Sequence, residues 1–271
     1  MAEHESEHAD EIRKINKDTI PSVEELFDQT VRDLGLEGRG QVYIREHFED
    51  LLARIMKRGL ELLERHQNEA QRKFLETMAG SHTELEAIAQ RLINDVLRRQ
   101  GLFMQRLSDL IEETMTEMPP LTEFNSSISN MRKSRAGSMF TRAIRYLLSR
   151  CDIPSEVGGK VTGRLDVIIP NYQSWSHRPE NGVLLELKAM HIRERWKTAH
   201  VETHSKRGPV WIVTLDTSFG RETADNIRNM GLHIYCPAVM SREKFRGEAA
   251  VRPLNELIRD IESILPHESL F

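Results

Sequence analysis

The sequence predicts an α/β protein in which a sheet flanked by helices follows an all-helical N-terminal region. Three observations carry this prediction. Residues 1 to about 120 hold long runs of helical period. After Gly158-Gly159 come short runs of Val, Ile and Leu, mostly bounded by Gly, Pro or Asn. The last two of these runs are separated by a segment of helical length. At 271 residues and 39% apolar content the chain can bury a sizeable core in one large domain or two modest ones.

The helical half is punctuated by capping signals. Ser22 with Glu25 and Ser81 with Glu84 fit the S/T-x-x-E box, which satisfies two orphan backbone N–H groups at a helix start. Helices are expected over about 22–35, 42–78 and 81–117. Phe48, Leu51, Leu52, Ile55, Leu62 and Leu63 share one face of the second, with Gly59 as a thin spot; Leu85, Ile88, Leu92, Val96, Leu102 and Leu107 stripe the third. Gly80 separates the two, which suggests an antiparallel helical hairpin. Pro119-Pro120 is read as the end of this region, placing a boundary between a domain 1–120 and a domain 121–271. A further helix over about 127–150 carries Met139, Phe140, Ile144, Leu147 and Leu148 beside Arg132, Lys133, Arg135, Arg142 and Arg145.

The strand-like runs are RLDVIIP (164–170), VLLELKA (183–189), VWIVTLD (210–216) and LHIYCPAV (232–239), the pattern of strands buried on both faces. TSFGRETADNIRNMG, closed by Gly231, makes the last two a parallel crossover through a helix. Another amphipathic helix is expected over about 253–264.

Composition excludes several classes. No stretch approaches the roughly 18–20 apolar residues of a membrane span, and the acidic start MAEHESEHADE is unlike a signal peptide, so a cytoplasmic location is expected. Cys151 and Cys236 lack ligand spacing and read as structural thiols. The net charge of -4 disfavours nucleic acid in general, yet residues 132–164 hold eight Lys or Arg against two acids. That basic face, with Arg132, Lys133 and Arg135, is a candidate for contact with the DNA backbone. His191, His200 and His204 form no convincing metal set, and Trp175 and Trp211 read as packing residues.

The chemistry-bearing constellation is Asp166 at the start of one strand run and Glu186 with Lys188 two apart on the next. Alternation places Glu186 and Lys188 on one face, and pairing of the two strands can bring Asp166 beside them. Two carboxylates and an amine at the end of an apolar sheet suit Mg²⁺-assisted phosphodiester hydrolysis, and a charge inside a buried strand is costly unless a site requires it. The plain alternative is a buried Glu-Lys pair at a strand end.

The segment LELKAMHIRERWKTAH resembles the surroundings of the catalytic lysine in type II restriction endonucleases of the PD-(D/E)xK superfamily, in the CCGG- and CCNGG-reading group that includes NgoMIV, EcoRII, BsaWI and AgeI. In that group the lysine is followed by an R-(D/E)-R element that reads C·G pairs, a place held here by Arg193, Glu194 and Arg195. Arginine can donate bidentately to guanine and a carboxylate can accept from cytosine N4, from the first turn of a helix in the major groove. The group's permuted members move the second metal carboxylate onto the following helix with thirteen residues between it and the lysine, where Glu202 stands; Glu186 occupies the orthodox place and ranks first, with both kept as candidates. RKSRAGSMFTRAI is similar to the group's R-x-G-x-x-F-E helix through Arg135, Gly137 and Phe140, but Thr141 replaces the glutamate.

The resemblance covers about 130–240 and implies a restriction-endonuclease-like core, a mixed central sheet flanked by helices, and a catalytic set of Asp166, Glu186, Lys188 and Glu202. Asp166, Glu186 and Glu202 would be the metal ligands, with Mg²⁺ and no nucleotide cofactor. It further implies double-stranded DNA as substrate, a homodimer on a palindrome, and a prokaryotic host. The helical half would serve dimerisation or DNA clamping. Two other readings are kept open: a structure-specific or repair nuclease on the same core, and a helical scaffold or regulator with a degenerate nuclease domain.

Overall fold

The computed structural model describes residues 2–81, 119–158, 167–189 and 208–265. In chain order the helices are α1 (Ala2–Thr19), α2 (Val23–Asp33), α3 (Gln41–Glu46), α4 (Phe48–Ser81), α5 (Pro119–Arg150), α6 (Tyr172–His177), α7 (Arg221–Asn229) and α8 (Leu257–Ile264). The strands are β1 (Glu156–Val157), β2 (Val167–Ile169), β3 (Val183–Lys188), β4 (Val210–Thr214), β5 (His233–Cys236) and β6 (Val251–Pro253). Of the helix expected over 81–117, all but Ser81 lies outside the described residues, and Gly80 and Ser81, expected as a break and a cap, are instead the last two residues of α4. No helix among the described residues is long and apolar enough to cross a membrane.

The chain divides into two compact units, each discontinuous in sequence: residues 1–26 with 60–134, and residues 27–59 with 135–271. In the first, the rings of Phe74 and Phe124 stack at 4.4 Å and both are buried. Asn16 donates to Ser127 at 3.2 Å, and the Gln67 amide donates to the Ile128 carbonyl at 3.4 Å.

The second unit holds one mixed sheet in the order β1-β2-β3-β4-β5-β6. The pairs β1/β2 and β2/β3 are antiparallel, and β3 to β6 run parallel. One face packs Leu184, Ile212 and Ile234 against Ala224 and Ile227 of α7, with Trp175 in the same cluster. On the opposite face Trp211 meets Tyr235 at 5.0 Å, and the Tyr235 hydroxyl donates to Asp260 of α8 at 2.8 Å. Both tryptophans are therefore packing residues, as read from the sequence. Covering both faces is what makes the strands uniformly apolar. Burial pushes both thiols up, Cys151 to about 11 and Cys236 to about 12, which keeps them unreactive.

The capping box at Ser22 forms as expected. The Ser22 N–H donates to Glu25 at 2.8 Å and the Glu25 N–H donates to the Ser22 hydroxyl at 3.2 Å. Three other helical boundaries differ from expectation. The helix expected over 42–78 is interrupted at His47, whose backbone leaves helical geometry (φ -113°, ψ 18°) while its ring and its N–H share the Tyr43 carbonyl. Pro119-Pro120 does not end a helix but begins α5, because a proline in the first turn needs no intrahelical N–H partner. The C-terminal helix starts at Leu257, after the short strand β6 and a 3₁₀ turn at Leu254–Glu256. Gly59, the thin spot in the α4 stripe, is explained by Met139, whose terminal carbon would lie 3.1 Å from an added Cβ.

Gly182 has the tighter constraint: a Cβ there would meet the Ile169 carbonyl oxygen at 2.3 Å, because β3 starts in register with the end of β2. Gly182→Ala is expected to cost about 1–3 kcal/mol, read as a lower urea midpoint with unchanged slope. His233 is held neutral by burial and then by Arg252, so its pKa is lowered from 6.5 and its stabilising contribution is present above pH 6.5 and lost as pH falls. The stability of His233→Gln should fall less steeply than wild type as pH drops below 6.5, as measured by urea unfolding.

Candidate active site at the end of the third strand

β3 lies between β2 and β4, with five of its six residues buried and Lys188 half-buried. The register pairs Glu186 with Ile212 and Lys188 with Thr214 across the parallel β3/β4 ladder. Strand alternation therefore puts Leu184, Glu186 and Lys188 on one face: Leu184 belongs to the α7-side core, and the two charged residues continue that row toward the strand's carboxyl end. This agrees with the expected shared face. The carboxyl ends of parallel strands are where α/β sheets place their ligands.

Glu186 is 6% exposed, which for a carboxylate demands a partner. Lys188 provides it, with Nζ 2.6 Å from Oε1. The other oxygen, Oε2, is buried and has no hydrogen-bond partner among the described residues. One oxygen is thus held by an ammonium group, and the other is a hard donor with its lone pairs uncommitted. That donor chemistry fits a hard divalent cation.

The neighbouring strand end is also built from polar groups, a feature the sequence reading passed over as the tail of VWIVTLD. Thr214 is fully buried and its hydroxyl accepts the Asp216 N–H at 2.9 Å. Asp216, 7% exposed, accepts from the Ser218 N–H at 2.7 Å and from the Ser218 hydroxyl at 2.6 Å. The T-x-D-x-S spacing was the available signal, since Asp and Ser two apart commonly close such a turn. These bonds fix the β4 end beside Lys188.

Of the other expected site residues, Asp166, Arg193, Glu194, Arg195 and Glu202 lie outside the described residues, as do His191, His200 and His204. Among the described residues no group of three acidic, His or Cys side chains converges on a metal position. On α5, Arg132 and Lys133 are exposed and Arg135 is half-buried. Thr141, which stands where the resembling group has a glutamate, donates its hydroxyl to the Gly137 carbonyl at 3.2 Å and brings no carboxylate.

Comparison with known proteins bears on this site. The family described as EcoRII C terminal matches residues 100–253, more than half of the chain and a span that includes β1 to β6. The type II restriction enzyme SsoII of Shigella sonnei is 23% identical over 164 residues, an alignment covering 56% of this chain and 53% of that enzyme. The chain thus spans about half the length of the curated relative it matches. A solved structure of metal-depleted Ecl18kI in complex with uncleaved, modified DNA superposes with a TM-score of 0.77 at 19% identity, over 96% of this chain and 84% of that one. A PspGI–substrate DNA complex superposes with a TM-score of 0.65 at 15% identity, over 93% and 95%. At these identities the likeness is one of fold: a mixed sheet flanked by helices, preceded by a helical region, as the sequence predicts.

The ion pair makes a test independent of any reaction. Lys188→Met leaves the Glu186 charge buried without its partner and is expected to cost about 3 kcal/mol. The double variant Glu186→Gln with Lys188→Met should recover most of that loss in a double-mutant cycle by chemical denaturation. Additive losses would show that the two side chains do not stabilise one another.

Proposed function

Because the chain belongs to the EcoRII C-terminal family, we propose that it is a type II restriction endonuclease, hydrolysing double-stranded DNA at a short palindrome with a CCGG or CC-GG core. The observation that carries this reading is the buried Glu186–Lys188 pair at the carboxyl end of β3, within the matched span, with one carboxylate oxygen uncommitted. The name of the curated relative and the DNA-bound state of the structural neighbours support the same activity.

Asp166, Glu186 and Glu202 are the carboxylates that would hold Mg²⁺. Asp166 directly precedes Val167, and Glu186 directly follows Leu185, the residue paired with Val167. When bound, the cation lowers the pKa of a coordinated water and offsets charge developing on the phosphate. Lys188 holds a proton at Nζ beside Glu186 Oε1, so its ammonium can orient a water or a phosphate oxygen at the strand end. Burial of the strand excludes bulk water from all but its last residue, which strengthens each of these interactions.

Base reading is assigned to Arg193, Glu194 and Arg195, with Arg and Glu recognising adjacent G and C edges. Arg132, Lys133 and Arg135 are assigned to the DNA backbone. A palindrome calls for a two-fold protein, so a homodimer on DNA follows, with residues 1–120 contributing to dimerisation or clamping. The R-E-R element favours this reading over a structure-selective nuclease, which has little use for base readout.

Incubation with a plasmid of known sequence, with Mg²⁺ and with EDTA, tests the proposal. Discrete Mg²⁺-dependent fragments ending at one CCGG-containing sequence are expected. Random nicking would support a structure-specific enzyme, and intact DNA throughout would sink the nuclease reading. Glu186→Gln should lower the rate by at least about 100-fold while DNA is still bound. A Glu202→Ala enzyme with wild-type rate would place Glu202 outside the metal shell, whereas loss of cleavage with retained binding would place both carboxylates in it.

A further inference from the structure

An open cleft lies between the second half of α5, the turn that follows it and the α2 side chain of Phe27. It encloses about 680 Å³. Arg142, Arg145 and Tyr146 line it from the helix, and Ser149 and Ser155 from the helix end and the following segment. The Tyr146 ring meets Phe27 edge-on at 5.7 Å, so the aromatic side of the cleft is fixed by packing.

Its donors are unusually poorly served. Arg145 is half-buried and makes no hydrogen bond or ion pair among the described residues, and its Nε is buried without an acceptor. The Tyr146 hydroxyl is likewise buried with no partner, and burial raises its pKa, so it remains a donor. Ser155 makes no hydrogen bond among the described residues. Ser149 has its donor spent on the Tyr146 carbonyl at 2.8 Å, and Arg142 has interactions of its own. A half-buried guanidinium without an anion is costly, and two hydroxyls beside it want acceptors as well. Phosphate oxygens answer both needs, since a guanidinium fork and hydroxyl donors suit phosphate geometry.

We propose that this cleft binds a single phosphate group, with Arg145 as its main charge and Tyr146 and Ser155 as neutral donors. Arg142 adds a second positive charge, while Asp28 and Asp152, both exposed, stand at the rim. With the rim carboxylates offsetting Arg142, the charge left for a ligand is that of Arg145, which suits one phosphodiester or phosphomonoester and disfavours a polyphosphate. The same chemistry is offered by the backbone of bound DNA and by a free phosphate, and neither source requires the β3 site.

Two probes separate the sources: inorganic phosphate, followed by thermal shift and ³¹P NMR, and a duplex lacking CCGG, titrated at several salt concentrations. If DNA supplies the phosphate, Arg145→Gln should weaken duplex binding and reduce the salt slope by about 0.9, with Arg145→Lys restoring most of it. If a free phosphate is the ligand, inorganic phosphate should raise the melting temperature of wild type and not of Arg145→Gln, with duplex binding unchanged. Ser155→Ala, a smaller change that leaves the packing intact, should lose part of whichever effect is seen. Wild-type salt slope and wild-type phosphate response in both variants would overturn the proposal. Plasmid cleavage by the wild-type enzyme is read separately, so a wild type that cleaves while both variants match it in salt slope and phosphate response overturns this proposal alone and leaves the nuclease reading standing.

Discussion

Everything in the candidate site depends on burying a carboxylate at the end of an apolar strand. Five of the six β3 residues are buried, neighbours pair on both edges, and side chains pack on both faces, so water cannot solvate Glu186. A lone carboxylate in that position costs far more than a strand can return, and only a partner held nearby makes it tolerable. Lys188, two residues on and on the same face, is that partner. The pair is no argument for stability, because two leucines would pack there at less cost. Its persistence is an argument for chemistry.

The devices around the pair limit its freedom to move. Gly182 lets the start of β3 lie against the Ile169 carbonyl, which fixes the β2/β3 register. Thr214, Asp216 and Ser218 close the end of β4 beside Lys188. Farther along the sheet, Tyr235 is tied through Asp260 to Arg252, and the Ala238 N–H donates to Glu49 at 2.9 Å, so β5 is anchored beyond its end as well. A site built on strands fixed in this way holds its groups to a closer tolerance than one built on loops.

The parts of the fold legible in the sequence were those with strong periodicity. VLLELKA and VWIVTLD could only be buried strands, and the crossover through α7 followed from its length. What escaped was short or locally ambiguous. β1 has two residues, one the exposed Val157, and β6 has three and ends in proline, so neither presents a pattern long enough to count. Pro119-Pro120 reads equally as a stop or a start, and only tertiary context chose the start. At the site, Glu186 and Lys188 were legible because charge in a buried strand is rare. Asp216 was not, because an acidic residue at a strand's exit looks like the first polar residue of a loop until its bonds to Ser218 are seen.

The sequence offers three carboxylates for a cation that takes one or two, the rest of its shell being water and phosphate oxygen. The geometry of Glu186 narrows the choice. With Oε1 held by Lys188, Glu186 can offer a metal one oxygen and no bidentate grip. On the proposed reading, Glu186 through one oxygen together with Asp166 would already meet the usual carboxylate count. If Lys188 turns instead toward phosphate, Oε1 is released and Glu186 must find either a second metal contact or a water. On the proposed reading, the balance between the two glutamates would turn on which anion Lys188 faces with DNA bound, since each further carboxylate would add repulsion that a cation must offset.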